Sequence, residues 1–252
     1  MGAHHRLGGC GPGPRAGRRR RTAASGEGNL PVNPGWPAGT PNLVRVRHGE
    51  SEANRDNRFT GWLDPPLTAR GIAEARAAGA TLAAQGLSVR TAFASPLLRA
   101  VASCALVLEA LGQAEVRPRL CEALVERDYG ELSGMDRDGA CERWPPGQVE
   151  RWRRSYAEAP PGGESLRDTA ARVMLGYVRE ILPAAMRGTT LVVAHRNSLR
   201  ALVMALDGLS PDEVEDLELP TCAMRLYTLA PDTAVLSQTS LEPNLHAVEG
   251  GS

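Results

Sequence analysis

Lysine is absent from this chain of 252 residues, so all 29 of its basic residues are arginine. That excludes Schiff-base catalysis and any phosphate-binding loop that depends on its lysine. The five cysteines, Cys10, Cys104, Cys121, Cys141 and Cys222, are odd in number and scattered, with no C-x-x-C pair. Neither a zinc site nor a disulfide framework is expected from them. Reduced thiols suit a cytoplasmic protein, which is the location expected. No apolar run is long enough to span a bilayer, so no membrane partner is expected. The formal net charge is zero, but the first 42 residues hold six arginines and one glutamate. The remainder therefore carries the compensating −5, which argues against a nucleic-acid partner, because such binding needs a basic face to neutralise phosphates.

Length allows one large domain or two small ones, and the 42% hydrophobic content is enough for a substantial core. Residues 1–42 are rich in Gly, Pro and Arg, include the cluster Arg18-Arg19-Arg20-Arg21, and show no apolar periodicity. They read as a disordered extension. Three roles compete for it: an inert extension or overlong start, an organelle transit peptide (Arg-rich and acid-poor, but too glycine-rich for an amphipathic helix), and a basic nucleic-acid tail.

The ordered domain is expected over 43–236, with a flexible tail over 237–252. Leu43-Val44-Arg45-Val46 reads as a strand. Thr68 reads as the N-cap of a helix over Ala69–Gln85 with Ile72, Ala75, Ala78, Gly79 and Leu82 on one face. A strand follows at Thr91–Ala94, and then a helix over Pro96–Leu111 with Leu97, Val101, Ala105 and Leu108 inward. Residues 112–165 read as irregular. A helix is expected over Leu166–Met186, with Asp168 and Arg172 paired at i, i+4. Leu191–Ala194 is a strand, Ser198–Leu206 a helix and Met224–Leu229 a last strand. Alternating strands and helices with continuous apolar strands predict an α/β fold, a three-layer α/β/α sandwich around a mostly parallel sheet. In such sheets ligands lie beyond the carboxyl ends of the strands.

Two segments end strands at that edge: Arg47-His48-Gly49-Glu50-Ser51 and His195-Arg196-Asn197-Ser198. Their histidines are the only two between residues 6 and 245. A nucleophilic histidine must be neutral, held in one tautomer and faced by a stabilised phosphoryl group. Arg47 supplies a fork for phosphate oxygens, and Gly49 lets the backbone approach closely. A lone strand-end histidine is usually structural; a second imidazole at the same edge points to a site.

Arg47-His48-Gly49-Glu50-Ser51-Glu52-Ala53-Asn54, followed by Arg58-Phe59-Thr60-Gly61-Trp62, resembles the phosphoglycerate mutase branch of the histidine phosphatase superfamily. Ser95-Pro96-Leu97-Leu98-Arg99-Ala100, Glu126-Arg127-Asp128-Tyr129-Gly130, Trp152-Arg153-Arg154-Ser155-Tyr156, Gly163-Glu164-Ser165-Leu166 and Asn197-Ser198-Leu199-Arg200-Ala201-Leu202 continue the match in the family's order, over about residues 43–236. The resemblance implies interconversion of 2- and 3-phosphoglycerate, in glycolysis and gluconeogenesis, through a phosphohistidine primed by 2,3-bisphosphoglycerate. No metal is implied, and the partner is a small phosphorylated anion. It implies catalytic roles for His48, Glu126, His195, Arg47 and Arg99: His48 as phosphoryl carrier, Glu126 as proton shuttle and the others around the transferring group. Substrate contacts are implied for Glu50, Ser51, Asn54, Thr60, Gly61, Tyr129, Arg137, Arg153, Arg154, Arg196 and Asn197, besides Arg47, Arg99 and Glu126. A homodimer or higher homo-oligomer is implied as well.

The chain also departs from the pattern. Arg196 stands where the family has glycine, which predicts a strained left-handed backbone and a charge acting against protonated His195. Arg45 puts a charge inside a strand, where it needs a partner or a wet exit. Val125 replaces an asparagine, Cys222-Ala223-Met224 a glycine-containing turn, and Arg137 a lysine. Two alternatives to a mutase follow: a phosphatase of the same fold in which water resolves the phosphohistidine, and a catalytically impaired anion-binding paralogue.

Overall fold

The structure is a computed structural model that describes residues 39–245; the extension expected at 1–42 and the end of the expected tail lie mostly outside them. The elements run β1 (Leu43–Arg47), α1 (Glu52–Arg55), α2 (Ala69–Ala84), β2 (Thr91–Ala94), α3 (Leu98–Ala110), β3 (Arg119–Leu120), α4 (Arg137–Arg143) and α5 (Pro146–Arg154). They continue with α6 (Leu166–Gly176), a π turn at Tyr177–Ile181, α7 (Leu182–Ala185), β4 (Thr190–Ala194), α8 (Arg196–Asp207), α9 (Pro211–Asp216), β5 (Met224–Leu229) and β6 (Val235–Leu241).

One sheet has the order β3-β2-β4-β1-β5-β6. Pairs β2–β3, β2–β4 and β1–β4 are parallel, and β1–β5 and β5–β6 antiparallel. Strand side chains alternate between faces, so each apolar run feeds two cores. Leu43, Phe93, Val192 and Ala194 pack with Val173, Tyr177 and Ile181 and with Leu199 and Leu202 of α8. Val44, Val46, Leu191 and Val193 pack on the other face with Ala75, Ala78 and Leu82 of α2 and Cys104, Val107 and Leu108 of α3. The three-layer sandwich is the architecture found.

The Thr68 side chain caps α2 by accepting from Gly71 N–H. Gly79 belongs at the α2–α3 contact: a Cβ there would lie 2.4 Å from the Val107 carbonyl. The inward face of α3 differs from expectation. Ala100, Ser103, Cys104, Val107 and Leu108 are buried, while Ala105 is exposed. This helix is apolar around most of its circumference, so its pattern left the face open. Its crossing with α2 and the Ser103 hydroxyl, which accepts Gly49 N–H at 2.9 Å, decide it.

The stretch 112–165 holds more order than expected. Helices α4 and α5 and a 3-10 turn at Gly130–Leu132 surround a small core of Phe59, Leu132, Ala140 and Val149, while a second 3-10 turn, Glu122–Leu124, puts Leu124 into the core of Val173 and Tyr177. Each helix has few apolar residues, too few for a readable period. Between Leu166 and Ala185 the helical path widens into the π turn, where Leu182 N–H reaches back to Tyr177 C=O. Pro183, with no N–H and a ring that clashes with the carbonyl four residues earlier, accounts for the widening. The expected Asp168–Arg172 pair is not formed. Asp168 caps Ser165, and Arg172 turns to Glu164, with bonds of 2.9 and 2.8 Å.

Order also extends beyond 236. Residues 237–241, expected in the tail, belong to β6, paired along β5. An edge strand exposed on most of its length needs no hydrophobic alternation, so VLSQTSL carried little strand signal. Arg45 is buried opposite Arg225, and its Nε and Nη1 have no hydrogen-bond partner among the described residues. The Asp207 carboxylate binds Arg225 instead, at 2.8 Å. Burial lowers the pKa of Arg45 against the pull of Tyr227. Arg45 has neither the full pairing nor the wet exit that its position called for.

Candidate active site

Strands β1 and β4 are parallel neighbours with Arg47 opposite Ala194, so the next residue of each is a histidine at the same edge. The rings of His48 and His195 lie 5.0 Å apart between centroids, at 58°. His48 is 3% exposed and His195 0%. Burial, and then the guanidiniums of Arg99 and Arg47, hold His48 well below the ordinary imidazole range. Burial and Arg99, followed by His48 itself, do the same to His195. Both shifts favour the neutral ring at physiological pH. His48 Nδ1 lies 2.7 Å from the Gly49 carbonyl oxygen. A carbonyl only accepts, so Nδ1 carries the proton and Nε2 keeps its lone pair.

The close approach at Gly49 is to protein as well. A Cβ on Gly49 would sit 2.2 Å from the Gly71 carbonyl oxygen, and one on Gly71 would sit 2.0 Å from that of Glu50. The α2 start thus presses on the loop that carries His48, a contact that the motif did not reveal.

A cavity of about 330 Å³ opens at this edge. Of the expected residues, Arg47, Glu50, Asn54, Thr60, Gly61, Glu126, Tyr129, Arg137, Arg153, Arg196 and Asn197 line it. His48, His195 and Arg99 are buried and outside its lining. Arg99 donates to the carbonyls of Leu63 (2.8 Å) and Gly61 (3.1 Å), fixing the Thr60-Gly61 turn. Besides Arg99, two expected contacts are not in the lining. Ser51 spends its hydroxyl on a capping box with Asn54, and Arg154 turns away to Glu150 and Glu218. Glu50 does line the cavity, but its carboxylate accepts the Thr68 hydroxyl at 2.8 Å.

Glu126 links the 112–165 stretch to the sheet edge: its Oε1 accepts the backbone N–H of Arg127 (2.9 Å) and of Asn197 (3.0 Å). Asn197 Nδ2 in turn donates to the Tyr129 hydroxyl at 3.2 Å. The guanidinium of Arg127 does not pair with Glu126. It is fully buried, 4.6 Å over the Tyr129 ring, and donates to the carbonyls of Trp152 and Arg153. Arg172 donates to the carbonyls of Ala123, Val125 and Glu126 while paired with Glu164. Trp62 Nε1–H adds a bond to the Glu126 carbonyl at 2.7 Å. Arg127, Arg172, Glu164 and Trp62 thus brace the Glu126 segment. Sequence reasoning gave none of them a part in the site and read Arg172 as a helix-surface partner of Asp168, since a buried arginine reads like an exposed one. The cavity walls Asn57, Arg58, Phe59, Pro220 and Thr221 were also unassigned.

Arg196 differs from its expectation. It is the first residue of α8 and is not among the described non-glycine residues of positive φ, which are Asn57, Cys222 and Thr233. No left-handed strain falls on it. Its charge bears on Arg47, which burial and Arg196 together bring down to about 10, and also on His48. The left-handed backbone of the region is at Cys222, φ 54°, whose N–H donates to the Arg47 carbonyl at 3.1 Å.

A sheet edge with paired neutral imidazoles and a ring of guanidiniums defines a phosphoryl-transfer site of the histidine type. The histidine phosphatase superfamily (branch 1) model matches residues 43–241. The chain is 54% identical over 206 residues to the 2,3-bisphosphoglycerate-dependent phosphoglycerate mutase of Methylobacterium radiotolerans, covering 81% of this chain and 97% of that one. It is 56% identical over 194 residues to the protein of the same description from Azorhizobium caulinodans, covering 77% and 94%. Among solved structures, the phosphoglycerate mutase of Bacillus anthracis shares the fold at a TM-score of 0.64 and 23% identity, covering 83% of this chain and 95% of that one. The chain belongs to the histidine phosphatase superfamily.

Proposed function

We propose that this chain interconverts 2- and 3-phosphoglycerate as an isomerase of glycolysis and gluconeogenesis, primed by 2,3-bisphosphoglycerate. The observation that carries the reading is the Nδ1–H bond of His48 to Gly49, which leaves the Nε2 lone pair free as a nucleophile, buried beside an arginine-lined cavity. The match to curated mutases over nearly their full length supports the substrate. The residues fit a multiply charged primer. Among the described residues no carboxylate lies in ion-pair distance of Arg47, Arg137 or Arg196, and Arg196 Nε is buried without a partner.

In this reading His48 Nε2 forms a bond to phosphorus as the P–O bond of the donor breaks, and the protonated Glu126 carboxyl gives its proton to the leaving oxygen. For the return, the Glu126 carboxylate takes the proton of the acceptor hydroxyl, whose oxygen attacks phosphorus and frees His48. Arg47, Arg99 and His195 surround the charge that develops on the phosphoryl oxygens. Electrostatic positioning of this kind is the main demand of phosphoryl transfer. Arg137 and Arg153 hold the far end of the ligand, with Tyr129, Asn54 and Asn197 as neutral donors. No helix of the described residues is long and apolar enough to cross a membrane; a cytoplasmic location and a homo-oligomer belong to the same proposal.

Exposure to the bisphosphate should leave acid-labile phosphate on His48 and none on a His48→Gln variant. A coupled assay should show isomerisation that depends on the primer. Phosphate release without isomerisation would overturn the mutase reading in favour of the phosphatase.

A further inference from the structure

Five guanidiniums and two carboxylates line the cavity. Arg153 has Glu150 at 3.1 Å, Arg58 has the Gly134 carbonyl at 2.9 Å and Arg47 has the Leu219 carbonyl at 2.6 Å, but Arg196 has no hydrogen-bond or ion-pair partner among the described residues, and its Nε is buried without a bond. It lines both the main cavity and a smaller cleft formed with Tyr129, Arg153, Arg154, Arg200 and Glu218. Behind burial, its charge helps to depress Arg47 and Arg200, each to about 10. It acts in the same direction on Arg153, after burial and Arg137.

Like charges gathered in a partly desolvated site are unfavourable when it is empty, and the repulsion is relieved in proportion to the negative charge that enters. Arg196 is coupled to Arg47 at the transfer end and to Arg153 at the rim. A ligand with one phosphoryl group can satisfy the transfer end and leave Arg196 without a partner, whereas a second phosphoryl group gives that guanidinium one. Nothing in its backbone opposes the role, since it begins α8 in a helical conformation.

We infer that Arg196 is a specificity residue that makes the site favour doubly phosphorylated small acids over singly phosphorylated ones. The inference rests on the mutase reading, in which the bisphosphate must stay bound until it has returned its second phosphoryl group. Arg196 is then the residue that retains it, and the one that limits its loss as free bisphosphate.

Non-transferable ligands test this without turnover. Methylenediphosphonate and methylphosphonate are titrated calorimetrically against the unmodified chain and its Arg196→Gln, Arg196→Met and Arg196→Lys variants. The neutral variants should lose about tenfold or more in diphosphonate affinity, against about threefold or less for the monophosphonate, and lysine should restore most of the difference. Equal losses for both ligands, or none, would overturn the inference. Two neutral side chains guard against one that fails to fold. Absence of isomerase activity in the unmodified chain, with the binding difference intact, would instead count against the mutase reading alone.

Discussion

Gly49 and Gly71 meet backbone to backbone, so close that a methyl group on either would fall within 2.2 Å of a carbonyl oxygen. The α2 N-terminus is thereby locked to the loop that begins at His48. Gly71→Ala should destabilise the chain by about 3 kcal/mol, the upper end for overpacking, because backbone cannot step aside. Activity should fall with it as His48 shifts. Gly147→Ala in α5, where the nearest heavy atom to the added methyl is 3.9 Å away, should leave stability unchanged or slightly raised. Urea unfolding of the two variants checks the contrast; equal effects would sink it.

Stability should fall on acidification below about pH 6.5, the ordinary histidine value. His48 and His195 are both pushed well below it by burial, then by Arg99. Above that pH both rings are neutral folded or unfolded. Below it the unfolded chain takes up protons that the folded chain refuses, so stability is lost as pH drops toward the depressed folded values. The slope contributed is at most about 1.4 kcal/mol per pH unit for each ring. Unfolding curves at pH 7.5 and 5.5 should differ less in His195→Gln than in the unmodified chain.

Glu126 does two separable things. As an acceptor it holds the N–H groups of Arg127 and Asn197, and in the proposed reaction it moves a proton. Glu126→Gln keeps an acceptor oxygen and should fold normally while kcat drops by about 10²–10⁴. Glu126→Ala should lose both, with a further cost of about 1–3 kcal/mol for the buried N–H groups left unpaired. Circular dichroism melts beside steady-state rates separate the two; a Gln variant of near-normal kcat removes Glu126 from proton transfer.

Arg172 acts at one remove, through three carbonyls of the Glu126 segment and the Glu164 carboxylate. Arg172→Met should cost about 2 kcal/mol of stability, as expected for hydrogen bonds to a charged group. Because Glu126 moves with the segment, kcat should fall more than KM rises. A KM effect alone would place Arg172 outside the positioning of Glu126.

How much of this was legible follows from the range of each signal. The strands ending at His48 and His195, the Thr68 cap and the two-faced core were readable because each rests on local propensity and a short period. The order within 112–165 was not, because α4 and α5 are held by a core shared with Phe59, distant in sequence. The Arg172–Glu164 pair spans a helix start and lies outside any helical spacing rule.

By itself the sequence determined the chemistry: a single pair of imidazoles between residues 6 and 245, arginine in place of every lysine, strand ends to display them, and motifs that mark a family. Only the tertiary structure decided which groups are free to act. Long-range contacts spend Ser51 on a cap, turn Arg154 toward Glu150 and Glu218, bury Arg127 under Tyr129 and leave Arg196 unpaired at the cavity. The reason is physical. A residue's identity fixes what it can donate or accept, whereas burial and the partners that folding brings fix its protonation and whether that capacity remains for a ligand.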